Sequence, residues 1–216
     1  MTTSAPIADG AEASESVTEA DPLRVASWPN AVTGLRIAMV PVLVGAFFID
    51  GQAGLWLGFA VFAAASLSDF LDGWLARKLD QHSLLGRILD PIADKLLVTA
   101  ALVMLAWDER APVIAVVAIL AREFLISGLR EALAGTVALP VQALAKWKTA
   151  AQMGAIALLL FAPAAAPLLP AAVGEGLATA GEGLLWLAVV LTWGSAIGYV
   201  RTAVRGLRTA RAREEE

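Results

Sequence analysis

The chain of 216 residues contains no cysteine, one histidine and one tyrosine. Without cysteine there is no disulfide frame, no thiolate metal site and no thiol nucleophile. The single histidine, His82, falls in a polar stretch between two apolar segments, where a solvated loop residue is a plainer reading than a ligand. Lysine and arginine are missing from the first 23 residues, which are small, polar and acidic. Such a stretch cannot bury enough apolar surface to offset its ordering entropy, so residues 1–25 are expected to form a disordered acidic tail. It also has no positive n-region of the kind a signal peptide carries. No repeat of fixed period is present, and no inverted-repeat symmetry of the transporter kind.

What the chain has in abundance is apolar surface. Apolar residues make up 58% of it and the mean hydropathy is +0.71, beyond the usual range of soluble domains. Apolar runs of about 17–25 residues recur, each long enough to cross a bilayer core. The expected fold is all-α, a polytopic membrane bundle of six transmembrane helices over residues 26–208, followed by a charged tail at 209–216. The six spans are expected near Ala31–Phe48, Leu55–Ala76, Arg87–Trp107, Pro112–Ala134, Lys146–Pro163 and Leu184–Val204. The Pro-, Gly- and Ala-rich segment between the last two reads as a loop with a short interfacial helix. Trp28, Trp107 and Trp147 read as anchors at the membrane interface.

The net charge of −4 averages an acidic N-terminus with a basic C-terminus. Its distribution is more informative. Arg77, Lys78 and Arg87 lie between spans two and three; Arg130, Lys146 and Lys148 flank the gap between four and five; Arg201, Arg205, Arg208, Arg211 and Arg213 follow span six. The opposite side carries only Arg110. The positive-inside rule then places both termini and the basic loops in the cytoplasm, with a multi-pass protein in the inner (plasma) membrane. The terminal arginines also suit attraction to anionic membrane lipids.

Four carboxylates stand out against this background. Asp69 and Asp72 are three residues apart, Asp90 and Asp94 four apart, inside or at the ends of apolar helices. Each costs about 2.5–3.5 kcal/mol at a helix centre even on lenient insertion scales, so such residues are rarely present without a use. In a helix each pair shares one face. Two facing helices would converge four oxygen ligands on one point, which suits a hard divalent cation. Gly73, Ala76 and Gly86 remove bulk from the same faces, allowing close approach of a ligand or of the helices. Arg77 adds a guanidinium fork suited to phosphate. Acids beside such an arginine point to a metal-bridged polyphosphate, toward the cytoplasmic end of the bundle by the orientation above.

The stretch D69-F-L-D72-G73-W-L-A76-R77, eight residues, then G86-R-I-L-D90-P-I-A-D94 resembles the signature of the CDP-alcohol phosphatidyltransferase family. Every signature position is filled, and the resemblance extends from Trp28 to about Arg205. It implies a six-helix membrane enzyme, usually a homodimer, with a polar active-site cavity facing the cytoplasm, that transfers a phosphatidyl group from a CDP-linked lipid to an alcohol and releases CMP. It further implies that Asp69, Asp72, Asp90 and Asp94 hold two Mg²⁺ or Mn²⁺ ions, with Asp94 also acting as general base. Gly73, Ala76 and Arg77 would hold the cytidine diphosphate, joined by Ser83, and by Asn30 and Thr33 of the entry motif P29-N30-A-V-T33. No nucleic acid is implied as a partner.

The acceptor is read from the second half of the chain. A121-R122-E123-F124 and A-K146-W-K148-T149 resemble motifs of the branch of that family that acts on glycerol 3-phosphate. Arg122, Lys146 and Lys148, assisted by Arg130, would then form a cationic pocket for a phosphorylated acceptor, and a dianionic phosphate would use so many cations. CDP-diacylglycerol and glycerol 3-phosphate are accordingly the expected substrates. Lys146 and Lys148 could instead mark a cytoplasmic helix end, whereas Arg122, deep in its span, needs a partner or a wet cavity. Glu123 is a candidate to orient Arg122 or Lys146. Lys95 is expected to point off the acidic stripe. Competing readings are a phosphatidylinositol-phosphate synthase or cardiolipin synthase of the same fold, and, from another class, a cation or proton transporter using the carboxylates as a relay.

Overall fold

The computed structural model describes residues 28–79, 84–132 and 144–214, with side chains described except at 28–31, 69–79, 84–88, 90–91, 144–146 and 204–214. The expected N-terminal tail lies outside the described residues. All regular elements among them are helical: α1 Trp28–Ala46, α2 Gln52–Leu79, α3 Leu84–Trp107, α4 Val113–Ala132, α5 Leu144–Ala165 and α6 Ala171–Glu214, with a 3-10 turn at Ala166–Leu168.

Short turns join the first four helices in pairs. Between α1 and α2, Gly51 adopts a φ of 79°, a left-handed conformation that glycine enters without the Cβ penalty. Gly54 follows in the first turn of α2, where an added Cβ would lie 2.1 Å from the Ile49 carbonyl oxygen. Between α3 and α4 the chain reverses through Glu109 at φ 58°. The amides of Arg110 and Ala111 both return to the Leu105 carbonyl, at 2.9 and 3.0 Å, which satisfies an end of α3 that helix geometry leaves open.

The helices pack through small residues. Ala65, Ala101, Ala115, Ala155 and Ala188 are fully buried, interleaved with Leu43, Phe62, Leu102, Ile119, Ile156 and Leu185. Small side chains let helix backbones approach closely, the packing expected where lipid gives apolar side chains no incentive to leave it. The most extensive contacts join α5 to α6 and α1 to α2 and α3, while α3 touches α4 and α5 only sparsely. That loose triangle of α3, α4 and α5 is where the polar side chains collect.

One expectation fails. The segment read as a loop before the last span is helical from Ala171 onward. The break is confined to the 3-10 turn and Leu169–Pro170, where Pro167 and Pro170 fall, while Pro163 sits inside α5; the alanines beyond sustain a helix despite their glycines. Gly181 explains its own presence differently, because an added Cβ would meet the Leu159 side chain at 3.0 Å. It is a contact point between α5 and α6. α6 reaches 44 residues, about 66 Å at 1.5 Å per residue, and carries the first part of the expected charged tail as helix. Among the described residues two stretches are long and apolar enough to cross a bilayer, Trp147–Leu168 and Ala171–Ala203; Val32–Ala46 and Gln52–Ser68 are shorter apolar helices.

Candidate functional site

Both aspartate pairs fall on helical backbone. Positions 69 and 72 lie within α2, and positions 90 and 94 within α3, so spacings of three and four keep each pair on a common face. The side chains of Asp69, Asp72, Gly73, Ala76, Arg77 and Asp90 lie outside the described residues, as do those of Asn30 and Lys146 and the whole of Ser83 and His82. Among the described residues no group of three or more metal-ligating side chains forms.

Asp94 is described, and its carboxylate is held from an unexpected direction. Arg36 of α1 donates from Nη1 to Asp94 Oδ1 at 2.8 Å. Arg36 is 2% exposed and Asp94 47%, so a buried cation presents a carboxylate that still faces open space. Thr33, one turn earlier on α1, is buried as well. Arg36 was detectable in principle: a guanidinium in an otherwise apolar helix carries the same energetic anomaly as the aspartates.

Asp94 opens onto a cavity of about 200 Å³ between α3, α4 and α5. Its polar wall comprises Asp94, Lys95 and Thr99 of α3, Glu123 of α4, and Lys148, Thr149 and Gln152 of α5; Val98, Leu120, Phe124 and Met153 supply the apolar part. Lys95 turns to α4, donating to Ser127 Oγ at 2.6 Å.

The four cations expected around an acceptor separate. Lys148 lines the cavity and donates to Glu123 Oε1. Arg122 does not line it. Its guanidinium is buried between α4 and α6, where Nε donates to the Thr192 carbonyl at 3.0 Å, Nη2 to Ser195 Oγ at 2.7 Å and Nη1 to Glu123 Oε1 at 3.0 Å. Arg130, two turns further along α4, leans on Tyr199 of α6, with a 2.9 Å hydrogen bond to the phenol and its guanidinium carbon 5.4 Å from the ring centre. Arg122 and Arg130 thus both tie α4 to α6, and Lys148 alone of the described three faces the cavity.

The arrangement offers a carboxylate able to accept a proton and an ammonium able to bind an anion on two of the helices that line one amphipathic cavity. Comparison with known proteins points the same way. Residues 26–194 match the family model described as CDP-alcohol phosphatidyltransferase. A protein of Rickettsia bellii named CDP-diacylglycerol–glycerol-3-phosphate 3-phosphatidyltransferase is 47% identical over 133 residues, 61% of this chain and 74% of the relative. An Arabidopsis thaliana protein named CDP-diacylglycerol–glycerol-3-phosphate 3-phosphatidyltransferase 2 is 39% identical over 155 residues, 63% of this chain and 65% of its own length. A rice protein named cardiolipin synthase (CMP-forming) is 34% identical over 174 residues, 72% of this chain and 52% of its own length.

Proposed function

The chain belongs to the CDP-alcohol phosphatidyltransferase family, and on that premise we propose that it transfers a phosphatidyl group from CDP-diacylglycerol to sn-glycerol 3-phosphate, giving phosphatidylglycerophosphate and CMP. The observation that carries the reading is the cavity in which Asp94 and Lys148 stand on facing helices, in a chain whose relatives bear that activity in their names.

Each residue has a distinct task. Lys148 and Lys146 attract the phosphate of the acceptor and turn its free hydroxyl toward Asp94. Asp94 accepts the hydroxyl proton as the oxygen attacks the phosphorus that bears the diacylglycerol. A new phosphorus–oxygen bond forms there, the bond to the bridging oxygen of the pyrophosphate breaks, and CMP leaves with that electron pair. Direct displacement needs no covalent intermediate. Arg36 keeps the Asp94 carboxylate aimed at the cavity through Oδ1. Asn30, Thr33, Gly73, Ala76, Arg77 and Ser83 form the cytidine diphosphate side of the site.

The acids suit a divalent pair, Mg²⁺ or Mn²⁺. Asp69, Asp72, Asp90 and Asp94 offer hard oxygen donors, and the unbroken helices through both pairs keep their spacing. Ions held there would neutralise the charge of the pyrophosphate.

The enzyme is a membrane protein. Six spans with both termini and the cavity on the cytoplasmic side, and a homodimeric assembly, complete the proposal; the clustering of basic residues at that end supports the orientation.

Purified protein in detergent with CDP-diacylglycerol and Mg²⁺ is to be given glycerol 3-phosphate, inositol phosphate or phosphatidylglycerol in separate reactions, with CMP release followed. Release is expected with glycerol 3-phosphate. Release with phosphatidylglycerol alone would assign the activity named for the rice relative instead, and release with none would return the transporter reading.

A further inference from the structure

We infer that Glu123 is a positioning residue for the acceptor, and that Arg122 acts through Glu123 and not on the acceptor itself. The inference rests on the proposal that the acceptor is a phosphate-bearing alcohol bound at Lys148.

The argument begins at α6. Ser195 Oγ donates its one proton to the Thr192 carbonyl at 2.8 Å, so toward Arg122 it can only accept. The Thr192 carbonyl, inside α6, accepts from both Ser195 Oγ and Arg122 Nε, and a guanidinium can only donate. Donor and acceptor assignments therefore close in one way, and they fix the planar guanidinium along two of its sides. Arg122 is 3% exposed and Ser195 fully buried, so water does not compete for these bonds. The third side of the fork points Nη1 at Glu123 Oε1.

Glu123 Oε1 then accepts a second hydrogen bond, from Lys148 Nζ on α5. One carboxylate oxygen thus connects a rigid cation with a flexible one. A lysine stem carries about 2 kcal/mol of rotamer entropy, which free rotation would retain until an anion arrived. Bonding to Glu123 removes most of that freedom beforehand, the general advantage of preorganisation. An ammonium has three donors; among the described residues Glu123 engages Lys148 once, and the others remain for an incoming phosphate. The charges support the same role. Arg122, Glu123 and Lys148 together carry one net positive charge, enough to draw an anion without leaving two bare cations side by side.

The chain from α6 through Arg122 and Glu123 to Lys148 also explains a buried arginine that does not reach the cavity. Its partners are on α6, and its effect on the acceptor passes through Glu123.

The test is a double-mutant comparison on the full-length protein in detergent, with steady-state kinetics for glycerol 3-phosphate and CDP-diacylglycerol. Glu123→Ala is expected to raise the KM for glycerol 3-phosphate about tenfold, the scale of one lost charged hydrogen bond, while the KM for CDP-diacylglycerol stays within about twofold. Glu123→Gln, which keeps an accepting oxygen, is expected to recover part of the loss. In the Lys148→Ala background, Glu123→Ala is expected to add nothing to the acceptor KM, because its effect runs through that lysine. A rise equal for both substrates, or the same factor added with and without Lys148, would overturn the inference. Should Glu123→Ala fail to fold, Glu123→Gln carries the same comparison in both backgrounds. Wild-type protein that turns over no glycerol 3-phosphate would sink the functional proposal itself, a result separate from either outcome above.

Discussion

Arg36 on α1 and Asp94 on α3 are joined by a 2.8 Å ion pair across 58 residues of sequence. The cation is buried and the carboxylate half-exposed. This asymmetry would suit the proposed base: Arg36 is out of solvent, and Asp94 lines the cavity. Removing the guanidinium would release the carboxylate from its fixed direction.

Arg36→Ala is therefore expected to lower kcat by about tenfold to a hundredfold, less than the loss of the base itself, which is worth about 10²–10⁴-fold, with little change in CDP-diacylglycerol binding. Arg36→Lys should recover part of the rate. CMP release at saturating substrates measures it, and an unchanged kcat in Arg36→Ala would remove Arg36 from the account.

In the proposed mechanism the aspartates have different roles. Asp94→Asn should abolish turnover while sparing nucleotide binding more than Asp69→Asn does. Binding of CDP-diacylglycerol to each variant, measured beside its turnover, is the check. Equal loss of binding in both would count against Asp94 as the base.

Lys148→Ala and Lys146→Ala should each raise the KM for glycerol 3-phosphate more than that for CDP-diacylglycerol. The effect should weaken as salt is added, since salt screens the attraction of a lysine for a phosphate arriving from solution. The reverse ranking of the two KM values would move the lysine concerned to the nucleotide side.

The acids and Arg122 could be read from the sequence because each is a charge where charge is costly, and the lysines through their resemblance to a family motif. What spacing could not supply was their partners. Arg122 was recognisable as a buried cation in need of one, but Thr192 and Ser195 lie 70 and 73 residues away, and no local pattern reports a contact between helices so far apart. Arg130 is drawn to Tyr199 for the same reason. The early start of α6 was hidden by composition: glycine and proline signal a loop, and only the contact of Gly181 with Leu159 reveals that there a glycine serves packing. The other five helices were legible from their apolar runs, with ends that differ by a few residues.

Arg122→Ala should destabilise the protein strongly. It removes three hydrogen bonds between buried or half-buried groups and leaves Glu123 without its buried cation, a change of about 3–5 kcal/mol for a broken buried pair. Ser195→Ala should cost about 1 kcal/mol, the usual worth of one hydrogen bond. Arg130→Ala, at an exposed position, should cost less than Arg122→Ala. Thermal unfolding of the three variants in one detergent ranks them; Arg130→Ala as the most damaging would contradict the α4–α6 assignment.

Chelation should silence the enzyme. Treatment with EDTA is expected to abolish CMP release, and Mg²⁺ or Mn²⁺ should restore it. Asp69→Asn should need a higher metal concentration for the same recovery. Full activity after exhaustive chelation would contradict a metal site at the aspartates.

The most direct test follows the acceptor into lipid. Glycerol 3-phosphate labelled in its carbon skeleton is to be incubated with purified enzyme, CDP-diacylglycerol and Mg²⁺, and the lipid extract compared with the CMP released. The account expects label in phosphatidylglycerophosphate, one equivalent per CMP, and none with Asp94→Asn. CMP release with no label in lipid, or label transfer undiminished in Asp94→Asn, would contradict it.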